Sequence, residues 1–272
     1  MTKHDVDESW GPNLPSRDTP VRRLRSILES LRSPGNGCPW DLKQTHETLK
    51  PYLLEEACEV LDAIDDGDDL ELCTELGDLL LQIVFHAQIA SERGAFSLDD
   101  IARAIGDKLI QRHPHVFGGA KVATANEVLR NWEKIKLDTG EGRAMLDGVP
   151  RSLPALLAAY RIQEKVSSIG FDWKAPSEVV PKVREEVDEF LEAYGREDFA
   201  ACEEEFGDLL FSLVNLARRA GINAEFALAR TNAKFRRRFG LMEHAIEEDG
   251  QRLGTLGLEE LDRYWDRVKR SE

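Results

Sequence analysis

The sequence predicts an all-α protein built from two tandem copies of one helical unit. Apolar residues recur at helical spacing, as in Leu53, Ala57, Val60, Leu61 and Ile64, and the alternation typical of strands is nearly absent. A group of residues also recurs, residue for residue, 130 positions further along the chain. Its first copy is Glu55, Glu56, Glu59, Glu75, Gly77, Asp78, Leu79 and Leu80, and its second is Glu185, Glu186, Glu189, Glu205, Gly207, Asp208, Leu209 and Leu210. Such a repeat indicates an internal duplication.

Local signals predict where helices begin and end. The segments SLDD at 97–100 and TANE at 124–127 are typical capping boxes, in which a hydroxyl and an acid three residues later bond to each other's backbone N–H groups. Gly94 and Gly221 predict helix ends.

The domain boundaries are predicted from a stretch rich in glycine and proline, "DTGEGRAMLDGVPRSLP", at 138–154. We place the linker at 141–150, between an N-terminal helical domain at 21–140 and a C-terminal helical domain at 151–272. The polar residues 1–20 are expected to form a mobile tail.

Charge and composition argue against several classes of protein. The chain has 36 basic and 51 acidic residues, a formal net charge of −15, so we expect no wrapping of nucleic acid by a basic surface. No apolar run is long enough to span a membrane, and no targeting signal is visible. The four cysteines form no C-x-x-C pair and are expected to be reduced thiols, which favours a cytoplasmic location.

The repeated acids are expected to meet across a helical hairpin. A turn centred on Gly67 would bring Glu59 opposite Glu75 and Glu56 opposite Asp78, because each pair is equidistant from that turn. The second copy would do the same about position 197. Like charges at this depth repel each other and are costly to desolvate, and we expect no Lys or Arg in the hairpin core to pair with them.

These acids are therefore predicted to hold Mg²⁺, with Mn²⁺ able to substitute, since hard divalent cations prefer carboxylate oxygens. A single E-E-x-x-E motif is more often a solvated helix face, and a helical wheel places these acids opposite the apolar stripe. The pairing across the hairpin and its recurrence favour metal binding instead. The predicted metal ligands are Glu55, Glu56, Glu59, Glu75 and Asp78, and Glu185, Glu186, Glu189, Glu204, Glu205 and Asp208.

Each copy also has cationic and aromatic residues suited to a nucleotide. Cations near a metal suit phosphate oxygens, and the face of a tryptophan suits a base or sugar. The predicted substrate-binding residues are Lys108, Arg112, Trp132 and Lys136 in the first copy and Lys234, Arg238, Trp265 and Lys269 in the second. Each pair alone is more often surface charge or core packing, but together with the acids they indicate a nucleotide phosphate site.

The acid pattern, the duplicated helical unit and "GCPWDLKQTHETLKPYLLEEACEVLDAI" at 37–64 resemble the MazG nucleoside triphosphate pyrophosphohydrolases. The resemblance covers nearly the whole chain after residue 20. It implies four-helix units in a homodimer, and Mg²⁺-dependent hydrolysis of nucleoside triphosphates to the monophosphate and pyrophosphate. It also implies broad base tolerance and a role in nucleotide-pool sanitation.

The resemblance further implies which residues catalyse the reaction. In the second copy, Glu185, Glu186, Glu189, Glu205 and Asp208 would bind the ions, with one glutamate activating water, while Lys234 and Arg238 would stabilise charge on the phosphates. Trp265 and Lys269 would contact the nucleotide or close the site. We favour the second copy as the main catalyst, because it adds Glu204 and a more basic run, KFRRRF at 234–239.

Other site types fit less well. A di-iron bundle uses Glu-x-x-His, which is absent, and "GGAKV" lacks the spacing of a P-loop. A nucleotide-sensing or scaffold module with one or both sites inert stays open, because it would keep the binding residues without turnover.

Overall fold

A computed structural model describes residues 19–118 and 144–271 of the chain. The chain divides into two compact units, residues 1–121 and 122–272. The described residues form helices, turns and loops with no strand, which confirms the all-α prediction. The predicted tail lies almost entirely outside the described residues, and the boundaries at 140 and 150 stay predictions. No described helix is both long enough and apolar enough to cross a membrane.

The first unit is organised around one long helix. Its helices are α1 Pro20–Leu31, α2 Lys50–Asp66, α3 Asp69–Glu92, α4 Leu98–Arg112 and the short α5 Pro114–Phe117, with a 3-10 turn at Asp41–Lys43. Helix α3 packs against α1, α2 and α4. Its central residues Val84 and Phe85 form a core with Leu28 of α1 and with Leu49.

The second unit repeats the hairpin within a different set of neighbours. Its helices are α6 Ala155–Ser167, α7 Pro176–Gly195, α8 Phe199–Arg219, α9 Ala224–Glu248 and α10 Leu258–Ser271, with a 3-10 turn at Leu253–Thr255. Helix α8 packs against α7 and α6, and α9 packs against α10. A core of Met242, Ile246 and Val268 joins α9 to α10.

Both predicted hairpins form, and their turns are built from local signals. Gly67 ends α2 in the left-handed region (φ 71°), and the Asp68 side chain then accepts hydrogen bonds from the N–H groups of Leu70 and Glu71. In the second hairpin Glu197 has φ 57°, and Asp198 caps α8. These tight turns make each helix pair antiparallel, as the acid pairing requires.

Other predicted helix ends are confirmed where the structure describes them. Ser97 and Asp100 form the capping box of α4, each side chain bonding to the other's backbone. Gly94 (φ 70°) and Gly221 (φ 75°) follow the ends of α3 and α8. The capping box beginning at Thr124 lies outside the described residues.

The apolar stripe of α2 is only partly buried. Val60 is buried, but Leu61 is 43% exposed and Ile64 is 54% exposed. The packing of α2 is almost wholly against α3, and one neighbouring helix covers only part of an amphipathic face.

Candidate metal centre

The first hairpin brings three acids from two helices together. Glu56 of α2 lies beside Glu75 and Asp78 of α3, and one carboxylate oxygen from each residue lies within 4.8 Å of the other two. The predicted convergence of Glu56 and Asp78 is therefore confirmed. The three residues are half-buried, so their oxygens are held near each other while remaining open to solvent.

Two carboxyl groups of this cluster, those of Glu56 and Glu75, have raised pKa values. Burial raises the pKa of Glu56, and the charges of Asp78 and Glu59 raise it further. Burial also raises the pKa of Glu75, followed by the charge of Glu59. Glu59 is therefore close enough to act on Glu75, as the hairpin register predicts. A bound divalent cation would relieve this repulsion.

The second hairpin repeats the cluster with Glu186 of α7 and Glu205 and Asp208 of α8, again within 4.8 Å of one another. Glu186 is only 4% exposed, whereas Asp208 is exposed. Burial raises the pKa of Glu189, and the charge of Glu205 adds to it. The second cluster thus has the same register as the first.

A lysine beside the second cluster corrects the expectation that no cation pairs with these acids. Lys182 Nζ lies 2.8 Å from Glu185 Oε1 and 2.7 Å from Glu186 Oε1. Hydrogen bonds to Glu185 and then to Glu186 raise the pKa of Lys182. The corresponding residue 130 positions earlier is Tyr52, so this ion pair belongs to the second hairpin alone.

A buried amide contacts the first cluster, and it too was missed from the sequence. Gln82 Nε2 donates a 3.4 Å hydrogen bond to Glu56 Oε1. The corresponding residue of the second hairpin is Ser212, whose hydroxyl donates to the Leu209 carbonyl instead. The helical spacing of Gln82 and Asp78, four residues apart, is the signal that could have identified it.

The comparisons with known proteins match this geometry. A model of the MazG nucleotide pyrophosphohydrolase domain matches residues 44–117 and 174–240, and each match contains one acid cluster. The chain belongs to the MazG nucleotide pyrophosphohydrolase family. The two matched segments are the two MazG copies of this chain, which confirms the tandem arrangement.

Curated relatives extend the similarity over most of the chain. A nucleoside triphosphate pyrophosphohydrolase of Escherichia coli is 48% identical over 257 residues, covering 93% of this chain and 98% of the relative. A MazG nucleoside triphosphate pyrophosphohydrolase/pyrophosphatase of Thermotoga maritima is 50% identical, covering 90% and 94%. The uncharacterised protein YabN of Bacillus subtilis is 47% identical, covering 92% of this chain and 51% of the relative.

The remaining predicted ligands lie around the two MazG clusters and not within them. Glu55 on α2 and Glu185 on α7 are exposed and precede the cluster acids Glu56 and Glu186 in sequence. Glu204 is exposed on α8. None of these three residues, nor Glu59 or Glu189, belongs to either cluster of converging oxygens among the described residues. Glu55 still raises the pKa of Glu56, by a smaller amount than burial does.

The predicted cations lie on helices outside the two hairpins. Lys108 and Arg112 are on α4, which packs against α3, whereas Lys234 and Arg238 are on α9, which contacts α8. The structure thus places each cationic pair on a helix adjoining an acid-bearing helix. Trp132 and Lys136 lie outside the described residues.

Trp265 packs within the second MazG copy. Its ring centroid lies 5.0 Å from that of Phe235, and the indole contacts the core of Met242, Ile246 and Val268. Lys269 pairs with Asp266 at 3.0 Å. The aromatic contact joins α10 to the part of α9 that carries Lys234, so these predicted residues share one region.

Gly77 and Gly207 leave open space beside both clusters. A Cβ atom at either position would meet no described atom within 4 Å outside the glycine's own stretch of helix. The described part of the chain therefore makes no close approach at either glycine. The helix surface next to the acids is accessible to a ligand or to another protein surface.

Three converging carboxylates suit a hard divalent cation. Mg²⁺ binds oxygen ligands, commonly through one or two carboxylates plus substrate phosphates, and retains several waters. The donor set of each MazG cluster fits that preference. In the first cluster the pKa of Glu56 is raised by burial and then by the charge of Asp78, and such an ion would neutralise that charge.

Proposed function

We propose that this chain hydrolyses nucleoside triphosphates to nucleoside monophosphates and pyrophosphate, with Mg²⁺ as cofactor and Mn²⁺ as a substitute. The observation that chiefly supports this proposal is the three-carboxylate cluster inside each segment that matches the MazG domain. The relatives from Escherichia coli and Thermotoga maritima bear the name of this activity. Broad base tolerance would make nucleotide-pool sanitation its role.

The proposed metal ligands at the centre of each site are the converging acids. These are Glu186, Glu205 and Asp208 in the second half and Glu56, Glu75 and Asp78 in the first. When bound, Mg²⁺ would neutralise phosphate charge and lower the pKa of a coordinated water. A neighbouring glutamate with a raised pKa is suited to accept a proton from that water, and Glu189 has this property.

We propose the second half as the main catalyst. Lys182 places an ammonium group at its acid cluster, where the first half has Tyr52. A cation at this position would also attract phosphate oxygens of the substrate. Lys234 and Arg238 would bind phosphates from α9, and Trp265 and Lys269 would close the site from α10.

We further propose that the active form is a homodimer. Both hairpins expose large apolar side chains, including Leu54 (66%) and Leu70 (77%) in the first and Phe199 (75%) in the second. Large exposed apolar side chains are the kind that an interface between chains covers. The open space at Gly77 and Gly207 supports the same proposal, because a partner helix could approach there. Light scattering should give the mass of two chains.

The function is tested by measuring pyrophosphate release from a panel of nucleoside triphosphates with Mg²⁺. We expect release by the wild-type chain, and at least about a hundredfold loss in Asp208→Asn, because this change removes a central metal ligand. The matched variant Asp78→Asn should lose much less.

Three outcomes would correct the proposal. A larger loss in Asp78→Asn would move catalysis to the first half. Equal losses would assign it to both halves. Nucleotide binding without any pyrophosphate release would replace the enzyme with a nucleotide sensor.

A further inference from the structure

Gln82 is a buried polar residue whose partner is an acid of the first cluster. It lies on α3 beside core residues Val84 and Phe85, with 6% of its surface exposed. Its Nε2 donates to Glu56 Oε1 across the hairpin. Burial of a primary amide is unfavourable unless its polar atoms are hydrogen-bonded, so this contact is a reason for a glutamine to be retained here.

The other polar atom of this amide is unsatisfied within the described chain. Gln82 Oε1 is buried and has no hydrogen-bond partner among the described residues. Such an acceptor requires a donor from outside the described chain to recover its desolvation cost. Hydrated Mg²⁺ retains several waters that donate hydrogen bonds, and the acid cluster in contact with this amide is where such an ion would bind.

The second hairpin orients its first acid by different means. Glu186 is paired with Lys182, and Ser212, in the place of Gln82, bonds to a carbonyl of its own helix. The first hairpin has Tyr52 in the place of the lysine. Gln82 thus supplies in the first half the hydrogen-bond donor that Lys182 supplies in the second.

We propose that Gln82 is a positioning residue of the first site. Its Nε2 holds Glu56 toward Glu75 and Asp78, and its unpaired Oε1 would be available to a water of a bound cation. This inference rests on the proposed function, since it assumes that the first cluster takes a divalent cation.

The test is a Mn²⁺ titration of the full chain without nucleotide, followed by electron paramagnetic resonance of the free ion. The second cluster is first disabled by Glu205→Gln and Asp208→Asn, so that binding reports the first cluster. In that background Gln82→Met, which keeps the size of the side chain and removes both polar atoms, should weaken Mn²⁺ binding about tenfold, as loss of a residue orienting a metal ligand commonly does. Gln82→Ser should act in the same direction.

Two controls separate positioning from packing. Gln88→Met removes another amide of the same helix, one that bonds to Glu92, and should leave Mn²⁺ affinity unchanged. Unfolding without metal should be no easier in Gln82→Met than in the parent chain. Easier unfolding with unchanged Mn²⁺ affinity would show a purely structural role and overturn the proposal.

The outcome is distinguishable from that of the proposed function. If the wild-type chain releases no pyrophosphate but Gln82→Met weakens Mn²⁺ binding, the function fails and this inference stands. If the wild-type chain is active but Gln82→Met binds Mn²⁺ normally, the inference fails alone. No measurable Mn²⁺ binding in the parent background also overturns it.

Discussion

The two acid clusters share their ligands and differ in their neighbours. Glu56, Glu75 and Asp78 recur 130 positions later as Glu186, Glu205 and Asp208. The groups that contact the first acid of each set are different: an amide in the first half and an ammonium in the second. Duplication has preserved the carboxylates that an ion requires, while the charge beside them has changed. The two sites are therefore expected to differ in affinity and in activity.

A second contrast concerns the ion pairs between arginine and an acid near the end of the second helix of each hairpin. In the second half Asp172 pairs with Arg218 at 2.6 Å and with Arg219 at 3.2 Å, and its side chain is 11% exposed. In the first half Arg32 pairs with Glu92 at 2.6 Å, and the Glu92 side chain is 35% exposed. Asp172 is thus the more buried acid and has two cationic partners.

The largest predicted effect on stability follows from that difference. Asp172→Asn leaves two partly buried arginines without their carboxylate and should lower the free energy of unfolding by about 3 kcal/mol. Glu92→Gln should cost less, about 2 kcal/mol, because the acid is more exposed and Arg32, although itself only 6% exposed, keeps the Asp41 and Gln44 carbonyls as acceptors.

Calorimetric unfolding of the full chain measures both variants. Glu192→Gln, which breaks the exposed pair with Arg196, is the matched control and should change little. A cost for Glu92→Gln that equals or exceeds that of Asp172→Asn would contradict the ranking by burial.

The next largest predicted effect is on Mn²⁺ affinity. It comes from removing Lys182 beside the second cluster and from introducing a lysine at Tyr52 in the first half. Lys182→Met should raise the Mn²⁺ affinity of the second cluster about tenfold without nucleotide, because removing a full positive charge next to the ligands outweighs losing the hydrogen bond that orients Glu186. Tyr52→Lys should lower that of the first cluster by a similar factor. The Mn²⁺ affinity of each variant is measured by titration, with the acid cluster of the other half disabled.

Salt and a control variant sharpen this test. Both changes in Mn²⁺ affinity should be smaller at high ionic strength, because the Lys182 side chain is 39% exposed and its charge is screened by salt. Lys50→Met removes a lysine at the start of α2 that pairs with Glu47, and it should leave the first cluster unaffected. Equal affinities in wild type and Lys182→Met would show that the ion pair opens freely when metal binds.

The hairpins and their converging acids were predictable because both depend on spacing along the chain. Helical period and the glycine turn determine which positions face each other, and the 130-residue repeat gave a second instance of the same register. Lys182 was missed because the expectation considered residues across the hairpin. It reaches Glu185 and Glu186 along its own helix, at the familiar spacings of three and four residues.

The sequence could not show what covers each apolar or aromatic side chain. The pattern identified an apolar face containing Leu61 and Ile64, but not that this chain leaves it exposed. It also identified Trp265 as a residue for nucleotide contact, whereas the structure packs this ring against Phe235. Apolar and aromatic residues give the same pattern whether they face a core, a ligand or a partner.

The smallest predicted effect arises from a histidine pair that only the first half has. His46 Nδ1 lies 2.8 Å from His86 Nδ1, and Arg93 Nη2 lies 3.3 Å from His46 Nε2. Because arginine only donates, His46 Nε2 accepts, and His46 Nδ1–H donates to His86. His86 Nδ1 therefore accepts a hydrogen bond, as it does in the neutral form of that ring. Leu216 is the residue 130 positions after His86.

This pair should make the first half less stable in mild acid. Burial, and next the repulsion that a protonated His46 would exert, lower the pKa of His86 below its ordinary value of 6.5. The unfolded chain therefore takes up a proton first as the pH falls through that value, and stability decreases until the folded histidine is protonated as well. Calorimetry at about pH 7.5 and 5.5 should show this loss in wild type, a smaller one in His86→Leu, and the wild-type loss in the control His244→Gln. An undiminished loss in His86→Leu would assign the acid sensitivity to other groups, because leucine cannot titrate.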